Sequence, residues 1–203
     1  MNKYIYEAKN YEEAVGKALT DLNTTEENLL IKILEEKNTL LKKIVKIEVV
    51  KYSDITSYLK DITTKILKEM GLTTNLEIKK RENHIDIKIF SDNNAILIGK
   101  NGKNINALQI ILRQIINTQV SNQILLTVDV ENYREKRNKN LEFLAKKIAQ
   151  EVSRTQVETK LDNMNSYERR IIHNTLSDNK YVYTESIGEE PNRCVVIKPR
   201  KEV

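Results

Sequence analysis

Apolar positions along this chain change period several times, and each change marks an element. Ile55, Leu59, Ile62, Ile66, Leu67 and Met70 recur at helical spacing, which predicts a helix that Gly71 stops. The period then drops to two. Leu76 and Ile78 alternate with Glu77 and Lys79, and Ile85, Ile87 and Ile89 alternate with His84, Asp86 and Lys88. Such alternation predicts a hairpin with one buried face, turning at Arg81-Glu82-Asn83. Ile105, Leu108, Ile111, Leu112 and Ile115 restore the helical stripe. Ile124, Leu126, Val128 and Val130 then alternate as a third strand.

Upstream, Tyr4-Ile5-Tyr6 opens a strand, and Tyr11, Ala14, Val15, Ala18, Leu19 and Leu22 form a helix face. Residues 29–34 and 44–50 supply two more strands. No Pro-, Gly- or Ser-rich linker separates this βαββ segment from the next. The join is expected near Tyr52-Ser53-Asp54, with Ser53 or Asp54 capping the helix that follows. Downstream, Leu141, Leu144, Ile148 and Val152 predict a long helix beginning by about Asn132, with Tyr133, Arg134, Arg137, Lys146 and Lys147 elsewhere on its circumference. A short strand near 157–161, a helix from Ser166, and strands at 181–185 and 194–197 complete the pattern. The expected architecture is α+β: three small α/β-layer domains in tandem, at 1–53, 54–131 and 132–203.

Between the hairpin and the second helix stripe lies Ile98-Gly99-Lys100-Asn101-Gly102-Lys103. Neither glycine carries a Cβ to hold a nucleic-acid backbone away. The amides opening the next helix add partial positive charge, and Lys100 and Lys103 add full charge. Gly99, Lys100, Asn101, Gly102 and Lys103 are therefore candidate RNA-binding residues. Ile96, Ile98 and Ile105 are either an adjoining base-reading surface or plain core. With this loop inside the order helix, strand, strand, short helix, helix, strand, residues 54–131 resemble a KH domain of the bacterial type II arrangement, whose GXXG loop clamps a few nucleotides of single strand.

Composition narrows the classes. Aromatics make up 5% of 203 residues and tryptophan is absent, so the cores must be aliphatic. No apolar run is long enough to span a membrane, and Met1-Asn2-Lys3-Tyr4 lacks the apolar stretch of a signal peptide. The lone Cys194 excludes an internal disulfide framework and reads as a buried strand residue. A cytoplasmic protein is expected. Net charge is +5, and Lys plus Arg against Asp plus Glu number 9 and 9 in 1–53, 10 and 9 in 54–131, and 15 and 11 in 132–203. The basic surplus sits in the last segment, where polyanion contact is expected. The neutral first segment suits protein contact better.

A second motif lies in that basic segment. Arg169 and His173 stand four apart in Glu168-Arg169-Arg170-Ile171-Ile172-His173, so both leave one helix face. An arginine can grip a phosphate with its fork, and a histidine beside it can donate a hydrogen bond. The competing reading of such a pair is an ordinary solvated face. With Thr184-Glu185-Ser186-Ile187-Gly188-Glu189-Glu190-Pro191-Asn192-Arg193 downstream, and Asp129-Val130-Glu131-Asn132-Tyr133-Arg134 at the junction, the segment resembles the R-x-x-x-H single-strand-binding domain of the bacterial Jag family.

That resemblance spans all three segments: a Jag N-terminal domain, a type II KH domain and an R-x-x-x-H domain. It implies a cytoplasmic bacterial RNA-binding regulator linked to cell elongation, division and shape. Its implied partners are single-stranded RNA (or single-stranded DNA), a small KH protein or a second copy, and a link to a membrane insertase. Arg169, Arg170 and His173 join the loop residues as the implied RNA-binding set. Two features depart from the family: Lys37-Asn38-Thr39-Leu40-Leu41 stands where relatives have a glycine-rich turn, and their long charged linker is missing. No cofactor, metal or catalytic residue is expected, since the only histidines are His84 and His173 and no HExxH spacing occurs. An enzyme such as a metal-dependent nuclease is the first alternative. A protein-interaction adaptor with little nucleic-acid binding is the second.

Overall fold

The computed structural model describes residues 1–38, 43–120 and 124–200. The elements are β1 (Tyr4–Ala8), α1 (Tyr11–Leu22), β2 (Leu29–Asn38), β3 (Lys43–Lys51), α2 (Tyr52–Glu69), β4 (Thr74–Arg81), β5 (His84–Ser91) and α3 (Asn94–Ile98). They continue with α4 (Lys103–Gln119), β6 (Leu125–Val130), α5 (Tyr133–Thr155), β7 (Thr159–Lys160), α6 (Ser166–Leu176), β8 (Val182–Ile187) and β9 (Cys194–Pro199). The chain forms two compact units, divided between Glu131 and Asn132. Thr39, Leu40 and Leu41, where the sequence lacks the family's glycine-rich turn, lie outside the described residues.

The first unit holds two three-stranded sheets, in the orders β1-β3-β2 and β4-β5-β6. In the first sheet every pairing is antiparallel, and α1 lays Ala14, Val15, Ala18 and Leu22 against Val45, Ile47 and Val49. Small residues on α1 let the helix sit close to the sheet. In the second sheet β4 and β5 form the expected antiparallel hairpin, while β6 joins β5 in parallel. A parallel neighbour needs a long crossover, and α3, the loop and α4 supply it. Ile85, Ile87, Ile89, Val128 and Val130 are buried to within 1%. The α+β tandem read from periodicity is the observed architecture.

The helix after β3 starts earlier than expected. Neither Ser53 nor Asp54 caps it; Lys51 is the cap residue, without a side-chain cap bond, and Tyr52 is already helical. Tyr52 supplies the reason. It is 4% exposed, its hydroxyl reaches Asn83 Oδ1 at 3.2 Å, and Lys80 Nζ lies 4.3 Å from its ring centre. Lys80 also bonds the Glu27 carbonyl. The tyrosine is thus anchored on the β4–β5 hairpin, and strand passes into helix with no intervening residue.

The second unit packs α5 and α6 on one face of the sheet β7-β9-β8. Leu141, Ala145, Ala149 and Val152 of α5 meet Ile172 and Leu176 of α6 and Val195 and Ile197 of β9 in one aliphatic core. The strand expected at 157–161 is shorter, only Thr159–Lys160, because β9 offers it two register partners. Cys194 is buried in β9, as a strand cysteine was expected to be. Among the described residues no helix is long and apolar enough to cross a membrane, and no group of three His, Cys, Asp or Glu could hold a metal ion.

One buried group is uncompensated. Thr63 on α2 is 0% exposed and its hydroxyl meets no hydrogen-bond partner among the described residues. A buried unpaired hydroxyl costs about 1–3 kcal/mol, and valine has nearly the same shape. Thr63→Val is therefore expected to stabilise the protein by about 1 kcal/mol in urea unfolding; a loss of stability would show that the hydroxyl is satisfied after all.

Candidate nucleic-acid interface

The GXXG loop is built by a backbone that turns left-handed three times in four residues. Asn93 caps α3 through its side chain, accepting from the Ile96 amide at 3.4 Å, and α3 ends after one turn and a half. Gly99 then takes φ 65°, Asn101 φ 55° and Gly102 φ 75°. Positive φ is cheap for glycine and tolerable for asparagine, which is why those residue types stand there. The Gly99 amide donates to the Ala95 carbonyl at 2.9 Å, and the Gly102 amide to the Gly99 carbonyl at 3.3 Å.

Gly99 is required for a second reason. Asn104 donates from Nδ2 to the Ile96 carbonyl at 2.7 Å, so its amide lies across the glycine. A Cβ on Gly99 would stand 2.6 Å from Asn104 Cγ, closer than atoms approach. Asn104 thereby ties the first turn of α4 back to α3 and fixes the loop between them. Reading by periodicity missed it; a polar side chain just inside a helix that follows a glycine was the available signal.

Lys100 and Lys103 are exposed, and neither takes part in an ion pair among the described residues. Asn101 is half-buried and Gly102 buried. The 17-residue α4 directs the positive end of its dipole to the same place. Two cations, a helix start and a Cβ-free backbone therefore converge on one surface. Of the apolar candidates, Ile105 is 1% exposed and belongs to the core, whereas Ile96 is 46% exposed beside the loop. Ile98 is half-buried.

In the second unit, α6 opens with a capping box. The Glu168 amide donates to Asn165 Oδ1 at 3.0 Å, and the Asn165 amide to Glu168 Oε2 at 3.3 Å. Glu168 is 4% exposed and also accepts from Arg137 Nε of α5 at 2.8 Å. Arg169 and His173 do share a face, and it faces inward. Arg169 is 7% exposed, and its Nη1 donates to the Met164 carbonyl at 2.7 Å and to Glu190 Oε1 at 2.8 Å. The His173 ring bonds Thr184 of β8 through Nδ1. Partial burial, and next the charge of Arg169, hold its pKa below the ordinary histidine value, so the imidazole is neutral at pH 7. Arg170 alone of the three points outward and is exposed.

Three domain models match the chain: the Jag N-terminus over residues 6–51, the KH domain of KhpA and KhpB over 56–136, and the R-x-x-x-H domain over 139–199. The RNA-binding protein KhpB of Clostridium symbiosum is 37% identical over 201 residues, covering 96% of this chain and 90% of that protein. The RNA-binding protein KhpB of Bacillus subtilis strain 168 is 33% identical over 206 residues, covering 95% and 96%. For the protein of the same name in Lactiplantibacillus plantarum, 36% identity extends over 141 residues, 70% of this chain and 44% of that protein.

The inward course of Arg169 has a measurable consequence. Truncating it leaves the Met164 carbonyl without its donor, while Glu190 can rehydrate because its side chain is 60% exposed. Arg169→Ala should lower stability by about 2 kcal/mol, and Arg170→Ala by less than about 0.5. Equal melting temperatures for the two variants would return Arg169 to the surface.

Proposed function

The chain belongs to the KhpB family of RNA-binding proteins, and on that premise we propose that it is a non-catalytic regulator that binds single-stranded RNA and acts after transcription. The observation that carries this reading is the loop from Gly99 to Lys103. A phosphate resting there meets backbone that no side chain shields, the N-terminus of α4, and two exposed ammonium groups. Arg170 is the motif residue in the second unit that is open to solvent, and it takes the phosphate-contacting part of the R-x-x-x-H motif. Arg169 and His173 hold that helix against β8 and the segment before β9. The break between Glu131 and Asn132 supports working domain limits of 54–131 and 132–203, with 1–53 before them.

A second KH domain, from a smaller KH protein or another copy of this chain, is the protein partner we infer. Its support is Ile110 and Ile111, 56% and 49% exposed on neighbouring positions of α4. The cytoplasmic location, the tie to elongation, division and shape, and the link to a membrane insertase rest on family likeness alone.

Two measurements test these readings. Lys100→Asp with Asn101→Asp sets like charges against phosphate and should weaken binding of an unstructured RNA at least tenfold at physiological salt, with unchanged circular dichroism. Wild-type affinity in that variant would remove the loop from the interface, and no RNA binding by the unaltered protein would leave the adaptor reading in its place. For pairing, sedimentation should detect association that Ile110→Ser with Ile111→Ser abolishes; a strict monomer, alone and with a small KH protein, is the contrary result.

A further inference from the structure

We propose that the outward face of α5 is a third RNA contact, a track that holds a single strand along the helix and stacks one base on Phe143. The proposal rests on the RNA-binding reading and names a site that neither the GXXG loop nor the R-x-x-x-H motif includes.

The first observation is Phe143 itself. It is one of two phenylalanines in the chain, and at 71% exposure it is more open than any other large apolar side chain among the described residues. Core packing does not explain it, because the buried face of α5 is formed by Leu141, Ala145, Ala149 and Val152. The second observation is what surrounds it. Successive residues of a helix are about 100° apart. Within about 60° of Phe143 on either side lie Lys136, Lys139, Asn140, Lys146, Lys147, Gln150 and Arg154, all exposed. The acids of this helix, Glu135, Glu142 and Glu151, all fall outside that sector.

Charge bookkeeping points to the same face. Helix α5 carries seven Lys and Arg and three Asp and Glu, a surplus of four. Residues 132–203 carry 15 and 11, also a surplus of four, so the helix accounts for the whole excess of its unit. Lys139 is paired with Glu135 at 2.7 Å, one turn below. That pair is exposed on both sides, and such pairs hold so weakly that a phosphate can compete for the lysine.

An isolated ring among evenly spread cations suits a nucleic acid better than a protein groove. A helix that docks into a protein groove presents apolar anchors at i, i+3, i+4 and i+7. Here those positions around Phe143 are Lys136, Lys139, Asn140, Lys146, Lys147 and Gln150. A single strand needs the opposite composition: spaced cations for its phosphates and a π-face for a base, with no sequence-specific donor required. From Lys136 to Arg154 the helix rises about 27 Å, which spans about eight phosphates of a stacked strand and fewer of an extended one.

The test uses the full chain and an unstructured twelve-nucleotide RNA in a salt series. Lys146→Glu with Lys147→Glu should weaken binding at least tenfold and flatten the log–log salt slope by about 1.4, the share of two single-strand phosphate contacts. Phe143→Ala should weaken binding about tenfold with no change of slope, and Phe143→Tyr should restore it, since only stacking has been altered. All three variants alter exposed side chains and should melt like the unaltered protein. Unchanged RNA affinity in the α5 variants, alongside lost affinity in the Lys100→Asp, Asn101→Asp variant, would overturn the track and leave the RNA reading standing. No RNA binding by the unaltered protein would bring down both. Lost binding of a protein partner with RNA affinity intact would make α5 a protein-docking face and likewise overturn the proposal.

Discussion

The turn from α3 into α4 is the constraint on which the KH half of the molecule depends. Only a backbone that goes left-handed at Gly99, Asn101 and Gly102 reverses direction this tightly. Side chains other than glycine or asparagine resist that conformation by roughly 1–2 kcal/mol at each residue. The turn does two jobs at once. It brings Ile105, Leu108 and Leu112 of α4 into the core, and it leaves the loop backbone bare on the outside. Asn104 shows how the two jobs are coupled. Its amide fills the space that a Cβ at Gly99 would need, so the residue that steadies the turn also makes the glycine obligatory. A nucleic-acid site formed this way is rigid before any ligand arrives, which reduces the ordering cost of binding.

The second unit solves a different problem. Its small aliphatic core admits two ionised side chains, Glu168 and Arg169, at 4% and 7% exposure. A buried charge is tolerated only when partnered, and both are: Glu168 with Arg137 and the Asn165 amide, Arg169 with Met164 and Glu190. These bonds stitch α6 to α5 on one side and to the segment before β9 on the other. A motif that reads as a phosphate grip is thereby built into the framework. The neutral imidazole of His173 continues the same stitching onto β8. What α6 offers to solvent is the next residue, Arg170.

The periods of the sequence showed where helices and strands lie, because burial of one face imposes 3.6 or 2 on the apolar positions whatever the rest of the fold does. The parallel partnership of β5 and β6 followed from the order of elements around the loop. Facing was harder to read. The spacing of Arg169 and His173 says that they share a helix face, but not which face, and only the positions of Met164, Glu190 and Thr184 decide that it turns inward. The start of α2 was obscured for a similar reason. Ser53 and Asp54 are good caps by local rules, yet Tyr52 is held by Asn83 and Lys80 from a hairpin some thirty residues away. Asn104 was invisible because its partner, the Ile96 carbonyl, belongs to no side-chain pattern.

Charge on this chain is placed where the two kinds of contact need it. The loop works at short range: amides and a helix end act over a few ångströms and fix the geometry of one or two phosphates. Its own segment carries ten cations and nine acids, too even a balance to draw a polyanion from a distance. The outward side of α5 has the reverse character. Five cations on one stripe of a 23-residue helix, with acids kept off it, form a field that adds up along the axis. At physiological salt, screening acts over about 8 Å, so neighbours one turn apart still reinforce each other while the stripe as a whole does not. Such a surface attracts any strand and selects none. The two contacts are therefore complementary: one supplies capture that weakens with salt, the other supplies a fixed seat that depends far less on it, and a chain holding both needs neither to be strong alone.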